Sequence, residues 1–139
     1  MNKKSQVSIE YIIIVGFVTF ILLSVLGAAF FYSGGIKDRI KMTQVSNFGN
    51  KIVSSAESVF YYGEPSKATI TTYLPEGVQS IVVSDTDDSL VISVQLDSGL
   101  TVTSFSSNVP ISGTLASFQG IRKINMIAGV NEVIIADVS

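Results

Sequence analysis

The sequence predicts an α+β protein in which a long N-terminal apolar helix is followed by a small antiparallel β-sheet headgroup. Three observations carry this. Between Tyr11 and Tyr32 the chain runs for 22 residues without a charge. From Val45 the apolar residues repeat at helical spacing. Past Gly63 that spacing gives way to alternating apolar and polar residues, broken by turn-forming clusters.

The uncharged run YIIIVGFVTFILLSVLGAAFFY would form a helix of about 33 Å, long enough to cross a bilayer. Secretory signals have a shorter apolar core and a small-residue cleavage mark behind it. Gly27-Ala28-Ala29 imitates such a mark, but Phe30-Phe31-Tyr32 follows it, so the segment is expected to be retained. Ser33-Gly34-Gly35 interrupts it. Each glycine costs about 1 kcal/mol relative to alanine in a helix interior, which leaves open a kink or a plain helix end with a second helix starting at Ile36. Val45, Phe48, Ile52, Ala56 and Val59 then form one apolar stripe, opposite Gln44, Asn47, Lys51, Ser54 and Ser58. This stripe is expected to lie on the headgroup, with the helix ending near Tyr62-Gly63 ahead of Pro65.

The headgroup reads as strands over Lys67–Tyr73 and Val78–Ser84, separated by Pro75-Glu76-Gly77. A hairpin follows, from Leu90–Leu96 through Asp97-Ser98-Gly99 into Leu100–Phe105. Ser106–Gly120 contains Pro110, Gly113 and Gly120 and reads as a loop with one edge strand. Ile121–Ile127 and Val133–Val138 form a last hairpin. The expected headgroup is one antiparallel sheet of five or six strands covered by the amphipathic helix.

Composition excludes several functions. The chain has no Cys, His or Trp, which removes disulfides, thiolate or imidazole metal ligands, and the usual acid–base imidazole. No serine sits in a nucleophile elbow, so no enzyme and no cofactor are expected. Asp85-Thr86-Asp87-Asp88-Ser89 is the one carboxylate cluster, but Leu90 and Leu96 stand where a calcium loop needs Gly and Glu. It reads as a solvated turn, and no metal is expected. From Gly63 onward eight carboxylates face three cations, a net charge of −5, which disfavours nucleic-acid binding. Phe60-Tyr61-Tyr62 would make an adhesive aromatic patch if exposed, but aromatics at a helix end are expected to pack on the sheet. No N-x-[ST] sequon is present.

Ahead of the apolar run stand Lys3-Lys4-Ser5, then Gln6-Val7-Ser8-Ile9-Glu10. This resembles the leader and Q-x-S-x-E signature of archaeal type IV pilins with class III signal peptides. GEPSK and the YLPEG around Pro75 are similar to passages in such pilins as well. The resemblance implies residues 1–5 as a leader removed by a prepilin peptidase between Ser5 and Gln6, where the family more often has Gly or Ala before the cut. It implies Gln6, Ser8 and Glu10 as the motif residues, with Gln6 and Glu10 also acting in assembly. The implied organisation is 6–35 as membrane and filament-core helix, 36–62 as amphipathic helix, and 63–139 as headgroup. The implied function is a structural subunit of a surface filament, held in the cytoplasmic membrane before assembly. Its partners would be copies of itself, the peptidase, and a pilus assembly platform with its ATPase. Lys37, Arg39 and Lys41 outweigh Lys3 and Lys4 in a bare positive-inside count, whereas the signature places the leader in the cytoplasm. The reading from another class is a permanently anchored single-pass surface protein whose β domain binds a ligand.

Overall fold

The computed structural model describes the backbone from Lys3 to Val138 and side chains from Ile9 onward. One helix, α1, covers Lys3–Tyr62. Seven strands follow: β1 (Lys67–Leu74), β2 (Val78–Ser84), β3 (Ser89–Leu96), β4 (Gly99–Ser106), β5 (Ile111–Thr114), β6 (Gly120–Ala128) and β7 (Val133–Asp137). The chain divides into two compact units, Met1–Lys37 and Asp38–Ser139, described in turn. This is the α+β layout expected, a long N-terminal apolar helix followed by antiparallel-rich sheets.

In the first unit every described side chain from Ile9 to Tyr32 is exposed. The helix is apolar all round rather than along a stripe, the pattern of a segment meant for lipid or for other apolar helices. Within it Thr19 Oγ1 donates to Val15 O at 2.7 Å and Ser24 Oγ to Phe20 O at 2.8 Å, so neither of these hydroxyls needs water. Gly34 and Gly35 do not end the helix, which continues to Tyr62. Neither takes the left-handed conformation of a helix-terminating glycine. Gly63 does, at φ 73°, and its N–H donates to Phe60 O at 3.0 Å.

The second unit is built around residues 45–59 of α1. Val45, Phe48, Ile52, Ala56 and Val59 are all buried, because their 3- and 4-residue spacing puts them on one helix face. Against them pack Leu90, Ile92 and Val94 of β3, Ile124 and Met126 of β6, and Val133 and Ile135 of β7, in a single core.

The sheet expectation needs correction in two respects. The strands form two sheets, β1-β6-β7-β5 and β2-β3-β4, with β2 and β5 lying side by side between them. One pair is parallel, β5 with β7, Ile111 opposite Val133. The hairpins β3–β4 and β6–β7 are antiparallel as expected. However, β1 pairs with the distant β6, Lys67 opposite Ile127, and β7 enters between β6 and β5. Turn chemistry marks where a chain reverses and is silent about which distant strand it meets. Gly113 makes the parallel pair possible: its φ is 133°, and a Cβ there would stand 1.9 Å from Ile135 O.

Candidate functional site

Two regions bear on function, the exposed apolar helix with its flanking motif and the rim of the headgroup. Ser5, Gln6 and Ser8 lie in the first turns of α1, but their side chains fall outside the described residues, as do Met1 and Asn2 of the expected leader. Glu10 is described and exposed. It stands on the same helix as Gln6, four residues on, and so on the same face. Beyond it, Tyr11, Ile12, Ile13 and Ile14 begin the apolar surface. An apolar surface over more than twenty residues is far larger than a soluble monomer leaves uncovered. This helix is long and apolar enough to cross a membrane.

At the foot of the headgroup Asp38 caps a turn. The backbone N–H of Asp97 donates to one carboxylate oxygen at 2.9 Å and that of Ser98 to the other at 3.1 Å. These two donors, the Asp97 N–H foremost, hold the Asp38 carboxyl below its ordinary pKa, with Lys41 adding a smaller favourable field. Asp38 lies outside the uncharged run, and the clamp ties α1 directly to the β3–β4 turn. The adjacent Lys41 lies 3.8 Å from Glu76. Further up α1, Glu57 accepts from the backbone N–H of Asn108 at 3.0 Å and from its side-chain amide at 2.8 Å. Local sequence patterns do not show these fastenings, because the Asp38 and Glu57 contacts join residues more than fifty positions apart and Lys41 and Glu76 are thirty-five apart.

The acidic turn holds its shape through the backbone. Asp88 sits at φ 45°, and its carbonyl accepts from Ser107 N–H at 2.7 Å. Asp85 and Asp87 are exposed. Among the described residues no group of three metal-ligating side chains converges. The aromatic expectation is partly overturned: Phe60 packs against the core, but Tyr61 and Tyr62 are 73% and 81% exposed. Tyr61 stands two residues past the buried Val59 and so faces away from the stripe, and the helix ends at Tyr62.

Arg122 and Asp137 form an ion pair with both side chains mostly buried. Asp137 also accepts from Ala116 N–H at 2.8 Å, and Arg122 donates to the Ala116 carbonyl. The pair pins the connection between β5 and β6.

Compared with protein-family models, characterised proteins and solved structures, the chain matches none.

Proposed function

We propose that this chain is the structural subunit of an archaeal type IV pilus. It would be stored in the cytoplasmic membrane, cut between Ser5 and Gln6 by a prepilin peptidase, and polymerised through its N-terminal helix with the β headgroups outside. The observation that carries the proposal is the pairing of a helix exposed and apolar all round from Tyr11 to Tyr32 with a headgroup that has its own closed core. Such a helix is covered either by lipid or by copies of itself. A pilin uses the two coverings in turn. The Q-x-S-x-E run ahead of the helix supports the same reading.

In this reading Glu10 is tolerated at the membrane lip, where it reaches headgroups and water. Inside a bundle of apolar helices it requires a positive partner, and the new amine of Gln6 on a neighbouring subunit supplies one. The platform and ATPase would lift the helix out of lipid as each subunit joins.

Shearing intact cells tests the proposal. The protein is expected in the sheared filament fraction, and filaments are expected to be lost from micrographs of a strain lacking it. Retention of the whole protein with membranes after shearing would favour the permanently anchored surface protein.

A further inference from the structure

We propose that headgroups associate by strand addition, the free edge of β1 in one copy pairing antiparallel with the free edge of β4 in the next. Among the described residues β1 is hydrogen-bonded only to β6, and β4 only to β3, so each is the outer strand of its sheet. The backbone shows which residues present their N–H and C=O groups at these edges. Ala128 N–H donates to Ser66 O at 2.9 Å, which turns the even-numbered residues of β1 toward β6 and leaves Lys67, Thr69, Thr71 and Tyr73 facing outward. Consistently, the Thr71 carbonyl is met from outside by Lys51 Nζ at 2.7 Å, a bond that Val102 N–H of the incoming strand replaces as Lys51 swings away. On the other sheet Ser107 N–H donates to Asp88 O, which turns the odd-numbered residues of β4 toward β3 and leaves Leu100, Val102, Ser104 and Ser106 outward.

Both strands are eight residues long. One antiparallel register uses all of both, from Lys67 opposite Ser106 to Leu74 opposite Gly99. It sets every outward residue of β1 against an outward residue of β4, Thr71 with Val102 and Tyr73 with Leu100. It also keeps the solvent face continuous, because the exposed positions of the two strands are those same residues. Moving the register by one residue would break both matches at once.

Chemistry favours the same pairing. β4 carries no charge and no proline, and Leu100 and Val102 are each 60% exposed, so it lacks the guards that usually protect an edge. Lys67 would arrive at the Ser106 end of β4, beside the turn bearing Asp85, Asp87 and Asp88. Two separate depressions lie between α1 and β1, one lined by Asn47, Lys51, Thr71 and Tyr73 and the other by Ser58 and Lys67. Because the two edges differ, the contact is head-to-tail and each added copy leaves a new β4 and a new β1 free. This inference concerns the headgroup alone and stands whether or not the apolar helices polymerise.

The natural chain has no cysteine, which permits a clean test. Full-length Thr71→Cys and Val102→Cys chains are mixed in liposomes and treated with a short bis-maleimide. The mixture should give several-fold more cross-linked dimer than either chain alone or than Thr71→Cys mixed with Ser106→Cys. Equal yields for the shifted pair, or cross-links confined to like chains, would overturn the proposal. Adding Ser104→Pro to the Val102→Cys chain removes an outward N–H that β3 does not use. Dimer should then fall several-fold while protease resistance of the headgroup is kept, and an unchanged yield with that resistance intact would equally overturn strand pairing.

Discussion

Replacing Phe48 by alanine tests whether the headgroup is organised around α1. Phe48 is 1% exposed and sits between Val45 and Ile52 on the face that meets both sheets. Its removal deletes a full aromatic side chain from the centre of the core, for which the loss is about 3–5 kcal/mol. The neighbouring Gly49 leaves little freedom to refill the space, since a Cβ there would already stand 2.5 Å from the Phe105 ring. Urea unfolding of the full chain in detergent micelles measures the effect, with proteolysis of the headgroup as the readout. For a slope of about 2 kcal/mol per molar urea, the midpoint should fall by roughly 2 M. Lys51→Ala, on the exposed side of the same helix, should cost no more than about 1 kcal/mol. A Phe48→Ala loss below about 1 kcal/mol would refute the assignment of this helix face as the core.

Three further outcomes follow from particular contacts. Gly113→Ala should lower headgroup stability by roughly 1–3 kcal/mol or more, through the positive φ and the collision with Ile135 O, and a change within about 0.5 kcal/mol in the same urea assay would contradict the β5–β7 pairing. Asp38 has its pKa depressed in the folded state, so its stabilising effect is present above the unfolded carboxyl pKa and disappears as pH falls through the lower folded value. Asp38→Asn should therefore speed amide exchange at Asp97 and Ser98 relative to wild type near neutral pH, with the difference closing in acid; equal exchange near neutral pH would show that the clamp does not hold in solution. Glu10→Gln should leave membrane insertion and leader cleavage near normal while sharply cutting filament yield, and normal yield in sheared fractions would remove Glu10 from assembly.

What was legible in the sequence is what local periodicity encodes. The stripe from Val45 to Val59 appears in the structure as the buried helix face, and the strands lie close to the expected spans because alternation and turn residues are local signals. The order of those strands was not legible. β1 meets β6 some fifty residues away, and the parallel β5–β7 pair depends on one glycine whose neighbour is set by the fold. Gly34-Gly35 raised the expectation of a kink or an end, whereas helix termination falls at Gly63, where the backbone turns left-handed. The clamps from Asp38 and Glu57 were invisible for the same reason, since a lone carboxylate on a helix carries no sign of the loop it will cap. At the N-terminus the situation is reversed, because there the functional reading rests on the Q-x-S-x-E run and the uncharged helix, both matters of sequence.

Terminal sequencing of the protein recovered from the cell surface tests the central proposal most directly. The leader should be gone and the chain should begin at Gln6, with the whole apolar helix retained in the sheared material. A mature terminus near Ala29 or Phe30 would mean that the helix is discarded as an ordinary signal, and would contradict a filament built on it.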